Sequence, residues 1–233
     1  MIGSSLVKTP YGRFASTTWG PSMPIRQGWL VMEAPALPAF WGTLGVSPHL
    51  ASPLAIAGGV IWTIHYLNRA LYFPLTMRAR PDGRMAVMVA GMGSGVATVH
   101  AWLYASWLGR LAPDVTWASL ATPGFVLGAV TWALGFALIT SSESILRNLR
   151  PPGDTRYHIP QGGGFRWVSS PHYLGEILAW LGLMVATGAP GGLFVLCVTL
   201  GNLVPRAAAT HAWYKSTFSD YPASRRALVP FVW

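Results

Sequence analysis

Phe125-Val126-Leu127-Gly128-Ala129-Val130-Thr131-Trp132-Ala133-Leu134-Gly135-Phe136-Ala137-Leu138-Ile139-Thr140 carries no charge, and Ser141-Ser142-Glu143-Ser144-Ile145-Leu146-Arg147-Asn148-Leu149-Arg150 follows it directly. With the residues from Ala118 onward, the uncharged stretch reaches the roughly 20 residues that a helix needs to cross a bilayer. The charged continuation predicts that the helix leaves the membrane with Arg147 and Arg150 three residues apart on one face.

Working outward, five more apolar segments of similar length stand at about Gly28–Val46, Pro53–Leu75, Met85–Leu108, Val168–Thr187 and Gly191–His211. Pro35, Pro38 and Glu33 make the first of these a broken or tilted helix. Apolar residues are 52% of the chain and charged residues 10%, far below the quarter typical of a soluble domain. Twelve Trp suit a protein with two membrane–water interfaces. The expected fold class is all-α: a polytopic membrane bundle of six transmembrane helices, forming one domain over residues 1–233, with no secretory signal at its start.

Loop charges test that count. Lys8, Arg13 and Arg26 precede the first segment, and Arg78, Arg80 and Arg84 follow the second. Arg147, Arg150, Arg156 and Arg166 follow the fourth, and Lys215, Arg225 and Arg226 follow the sixth. The alternate loops hold only Arg110, offset by Asp114. Six spans put every basic loop and both termini on one side, the cytosolic side by the positive-inside rule. The net charge of +9 is thereby spread over short loops, which speaks against nucleic acid as a partner. The single Cys197 excludes an internal disulfide and a multi-thiolate metal site, and no metal is expected.

Ionisable groups at membrane depth are costly and mark working sites. Glu33, Arg69, Glu176 and Arg206 fall inside the expected spans, with His65, His100, His172 and His211 inside or at their edges. His65, Arg69 and Tyr72 share a face, with Tyr66 adjacent; His172 and Glu176 are four apart; Arg206, His211 and Tyr214 form a polar end. A structural alternative is that paired charges fix helix register. In the loop after the fourth segment, Arg147 and Arg150 suit bidentate phosphate binding, and the Gly162–Gly164 run suits backbone approach to an anion. Positive-inside charge and a plain flexible loop are the competing account. Gly91-Met92-Gly93-Ser94-Gly95 faintly echoes a dinucleotide glycine motif; with no strand before it, small residues for close helix packing are the better explanation.

The chain resembles the steroid 5α-reductase family, membrane enzymes that use NADPH to reduce an enone double bond. The resemblance runs from near Trp29 to the C-terminus. It is densest at Ile145–Arg150, Tyr157-His158-Ile159-Pro160-Gln161-Gly162-Gly163, Leu174-Gly175-Glu176, Arg206-Ala207 with His211-Ala212-Trp213-Tyr214, and Asp220-Tyr221-Pro222 with Ser224-Arg225. It implies that Glu33 and Tyr66 hold the substrate's 3-oxo group. It implies that Arg80, Glu143, Arg150, Tyr157, His172, Glu176, Arg206 and Tyr214 surround NADPH, with Arg147 and His211 beside them. Residues 1–76 then supply the substrate side and 77–233 the cofactor half. The family has seven helices, so its first helix is expected to be absent here. Met32 stands where the family often has glutamine, His172 where it has asparagine, and Thr210-His211 where it has a histidine-rich run.

The resulting expectation is an oxidoreductase of steroid and lipid metabolism, a monomer in the endoplasmic reticulum or a bacterial inner membrane, whose partners are the bilayer and a lipophilic enone. Tyr66 would donate to the enolate oxygen, beside a Glu33 expected to carry a proton in its apolar site. Enoyl-CoA or polyprenol reduction is the neighbouring alternative. Ser170-Pro171-His172-Tyr173-Leu174-Gly175 also echoes a motif of isoprenylcysteine and phospholipid methyltransferases, which bind S-adenosylmethionine. That cofactor has no phosphate, which leaves the arginines unexplained. A transporter or scaffold is the non-enzymatic alternative.

Overall fold

A computed structural model describes residues 19–151, 154 and 156–233. Lys8, Arg13, Pro152 and Gly153 lie outside the described residues.

The fold is helical. Strand β1 (Ser22–Pro24) and strand β2 (Arg84–Ala86) make one short antiparallel pair with Met23 opposite Met85. Helix α1 (Ile25–Glu33) starts directly from β1, and the Ile25 N–H donates to the Gly83 carbonyl at 3.0 Å. The pairing ties the first helix to the arginine-rich 78–84 loop.

Pro35 has no N–H to give back to the Val31 carbonyl, so α1 ends at Glu33 and α2 (Ala36–Gly45) begins past the break. The expected first span is therefore two short helices, with Glu33 at their joint. Helix α3 (Pro53–Leu67) is capped by Ser52, whose hydroxyl accepts from the Ala55 N–H at 3.1 Å. It runs into a π turn over Asn68–Tyr72 and then α4 (Phe73–Thr76). Pro74 cannot donate to the Ala70 carbonyl, which accounts for the altered register there. The turn carries Arg69.

Helix α5 (Val87–Ser106) passes into a second π turn, Trp107–Leu111. Helix α6 (Pro123–Asn148) has 26 residues, about 39 Å of helix, longer than a hydrocarbon core of roughly 30 Å. Helix α7 (Pro171–Thr187) stops at Gly188, whose φ of 64° suits a residue without Cβ. Helix α8 (Pro190–Thr217) holds Pro205 in its interior, directly before Arg206.

Among the described residues, three helices are long and apolar enough to cross a membrane: Val87–Leu111, Pro123–Asn148 and Pro190–Thr217. The protein is an all-α membrane protein, and three of the expected six spans meet that measure. The first is divided at Pro35, the second is interrupted by its π turn, and α7 has 17 residues.

The core is aromatic. Phe40 stacks on Trp62 with centroids 4.0 Å apart, and Trp62 on Tyr66 at 4.1 Å. Helices α6 and α7 touch backbone to backbone through Gly128 and Gly135 against Gly175 and Gly182. A Cβ on Gly135 would lie 2.6 Å from both the Ala179 nitrogen and the Gly175 carbonyl. Gly135→Val should therefore force the pair apart. We expect a loss of about 3 kcal/mol or more, seen as a lower melting temperature and a poor yield of monodisperse protein. Of the glycines in Gly91–Gly95 only Gly93 is closely packed, against Met32; Gly91 and Gly95 face open space. Close packing thus explains one of the three.

Candidate active site

Two cavities meet at Trp29, which lines both. The smaller, about 340 Å³, is mostly apolar and contains Glu33, Tyr66, Arg69 and Glu176 among Met32, Gly93, His100, Trp180 and Leu203. The larger, about 480 Å³, contains Arg78, Arg80, Arg84, Arg150 and Arg206, with Tyr157, His172, Tyr173 and Tyr214.

Arg69 organises the smaller cavity. Its Nε donates to Glu33 Oε1 at 2.8 Å and its Nη1 to Glu176 Oε1 at 2.7 Å, while its guanidinium carbon lies 5.5 Å from the Trp29 ring centre. His65 Nε2 is 3.3 Å from the other Glu176 oxygen. Both carboxylates are buried, and a buried charge persists only when paired in this way. Glu33 thus accepts a hydrogen bond from Arg69 through one of its oxygens. Arg69 is the partner that the sequence analysis placed on the face of His65 without joining it to either acid.

Tyr66 points at the same space from the α3 side. Its ring is clamped by Trp62, and among the described residues no hydrogen bond is made by its hydroxyl. His100 lies behind the stack. Trp62 Nε1 can only donate, and it reaches His100 Nε2 at 3.1 Å. His100 Nδ1 therefore carries the proton and donates to the Gly191 carbonyl at 3.2 Å. That histidine is a structural pin.

In the larger cavity Arg206 Nε donates to the Tyr173 hydroxyl at 2.9 Å. Arg78 and Arg150 each donate to the other's carbonyl, at 3.3 and 3.1 Å. Arg80 lies 5.6 Å from the Tyr157 ring centre, and Tyr157 meets Trp213 edge-on at 5.0 Å. Arg80 is held in a fork by Asp82, through Nε to Oδ1 at 3.0 Å and Nη2 to Oδ2 at 3.2 Å. These hydrogen bonds keep the Asp82 carboxyl below its ordinary value. Five guanidiniums beside aromatic rings such as Tyr157 and Tyr214 suit a polyphosphate carrying stacked heterocycles.

Arg80, Arg150, Tyr157, His172, Arg206 and Tyr214 line one cavity, while Glu176 lines the other with Glu33 and Tyr66. Three expected site residues line neither cavity. Arg147 Nη1 donates to Thr76 Oγ1 at 2.8 Å, Glu143 accepts from Asn68 Nδ2 at 3.3 Å, and His211 Nδ1 is 2.6 Å from the Ser169 hydroxyl. Helix α6 ends at Asn148, so Arg150 leaves the face it was expected to share with Arg147. The glycine run also misses the cavity lining. Gly162 and Gly163 take positive φ values of 83° and 48° to turn the chain, and Gly164 packs on Pro171. Arg78, Arg84 and Tyr173 join the lining without having been singled out as site residues; the clustering of Arg78, Arg80 and Arg84 was the available signal.

Residues 84–233 match a family model described as 3-oxo-5-alpha-steroid 4-dehydrogenase. The chain is 32% identical over 236 residues to 3-oxo-5-alpha-steroid 4-dehydrogenase 1 of Rattus norvegicus, covering 100% of this chain and 89% of that protein. It is 32% identical over 238 residues to steroid 5-alpha-reductase DET2 of Gossypium hirsutum, covering 100% and 91%. It is 33% identical over 229 residues to 3-oxo-5-alpha-steroid 4-dehydrogenase 1 of Homo sapiens, covering 95% and 85%.

Proposed function

The chain belongs to the 3-oxo-5-alpha-steroid 4-dehydrogenase family, and from that premise we propose that it reduces the carbon–carbon double bond of a 3-oxo-Δ4 steroid or a similar lipophilic enone, with NADPH as reductant. Membership makes it an oxidoreductase of the CH–CH class. The observation that carries the fuller proposal is the meeting of an arginine-lined cavity and an apolar acid-and-phenol cavity at Trp29.

Arg80, Arg150 and Arg206 hold the phosphates of the dinucleotide, with Tyr157, His172 and Tyr214 around it. When bound, NADPH supplies a hydride to the enone β-carbon. The chain's own part is to bind the enone and stabilise the charge that develops on its oxygen. Tyr66 donates a hydrogen bond there, and that bond strengthens as the oxygen becomes an enolate. Glu33 and Glu176, clamped by Arg69, fix the polar end of an otherwise apolar slot. Residues 1–76 supply Glu33, Tyr66 and Arg69 to the substrate side, and residues 77–233 supply the cofactor half together with Glu176 and Trp180 of the apolar slot. The arginine-rich mouth faces the cytosol, where the basic loops gather, and both termini lie on that side.

The test is oxidation of NADPH by detergent-purified protein, followed by loss of its absorbance. Oxidation that requires progesterone or testosterone supports the proposal. Oxidation that requires an enoyl-CoA moves the activity to the neighbouring class. Binding of S-adenosylmethionine without NADPH replaces reduction by methyl transfer. Arg206→Ala should raise the Kd for NADPH by about tenfold to a hundredfold, since a charge-assisted contact contributes roughly 1.5–3 kcal/mol, and should leave the KM for steroid nearly unchanged.

A further inference from the structure

Among the described residues lining the larger cavity, Asp82 is the one acid, set against Arg78, Arg80, Arg84, Arg150 and Arg206. It is 71% exposed and lies in the turn that precedes β2, where the Gly83 N–H donates to the Arg80 carbonyl at 2.9 Å. Its two oxygens take the Nε and Nη2 donors of Arg80. That is the two-point geometry by which a guanidinium grips a carboxylate or a phosphate alike. The carbon of the same guanidinium lies 5.6 Å from the Tyr157 ring centre. A carboxylate therefore already covers one of the two edges by which Arg80 can grip a phosphate.

We propose that Asp82 is an internal stand-in for a cofactor phosphate, which must be displaced from Arg80 before the dinucleotide seats, and that it thereby sets cofactor affinity and selectivity. The proposal rests on the cofactor site assigned above and goes beyond it in naming a residue that opposes binding. Two physical terms act together. An incoming phosphate must break the Arg80–Asp82 fork, and it then lies beside a carboxylate of like charge. Both fall away if the carboxylate becomes an amide. Asn keeps the size of the side chain and suits the turn, so the loop has no reason to change course. A different role is equally definite: Asp82 could aim Arg80 at the cavity, in which case its loss would weaken binding.

Asp82→Asn and the parent protein are titrated in detergent with NADPH, NADH and inorganic pyrophosphate, and quenching of tryptophan fluorescence gives each Kd. The expected result is tighter binding to the variant, about fivefold, the size of one exposed ion pair. Tightening of NADPH alone assigns Arg80 to the ribose phosphate. Equal tightening of NADPH, NADH and pyrophosphate assigns it to the diphosphate bridge. Unchanged or weaker binding of all three overturns the proposal. If neither dinucleotide binds the parent but pyrophosphate binds the variant more tightly, the NADPH assignment falls and the masking role of Asp82 stands.

Discussion

Tyr66→Phe should lower turnover by about a hundredfold to a thousandfold, the usual effect of removing one donor from a developing oxyanion. The substitution is unusually clean. The Tyr66 ring packs on Trp62 and beside Trp180, and Phe retains both contacts. Among the described residues the hydroxyl makes no hydrogen bond, so none is broken in the folded protein. Melting temperature should hold. The Kd for NADPH should hold too, because Tyr66 lines the smaller cavity and the arginines the larger. Steady-state rates with an enone, beside direct NADPH binding, separate these terms. Turnover equal to the parent would remove Tyr66 from the mechanism.

Arg69→Met should be the most damaging single change to stability. It leaves Glu33 and Glu176 buried at 5% and 6% exposure without the cation that bridges them. Breaking a buried pair in this way costs roughly 3–5 kcal/mol; Glu33 loses its partner, and Glu176 is left with His65 alone. Arg69→Lys does not repair it, because one ammonium cannot reproduce two guanidinium edges pointing to two carboxylates. Converting both acids to amides in the Met variant, with Glu33→Gln and Glu176→Gln, should restore much of the melting temperature. Activity should stay low, because the polar end of the slot has lost its fixed charges. A Met variant as stable as the parent would mean that the triad is not held as described.

The sequence made the class of fold and the general site legible, because both rest on strong local signals. An uncharged run such as Phe125–Thr140 admits little besides a membrane helix. Ionisable groups such as Glu33 and Glu176 stand out against apolar neighbours. What stayed hidden depended on where helices stop and how they turn. The divergence of Arg147 from Arg150 follows from α6 ending at Asn148. The placement of Arg69 between two acids follows from a π turn ahead of Pro74, and helical spacing alone does not encode it. The glycines at 162–164 suggested an anion loop by composition, yet their backbone angles assign two of them to chain reversal. Helical wheels assume an uninterrupted helix, and this protein places groups of the candidate site at the interruptions: Glu33 at the Pro35 break, Arg69 in the π turn, and Arg206 after Pro205.

The most direct test of the central claim, that a nicotinamide and an enone meet between these two cavities, is the fate of deuterium carried on the reducing carbon of NADPH. After turnover with a 3-oxo-Δ4 steroid, mass spectrometry and NMR of the product should find one deuterium on the carbon β to the carbonyl, with the α-carbon labelled only when the solvent is deuterated. A saturated product whose β-carbon carries no cofactor deuterium, or the absence of any saturated product, would contradict the account.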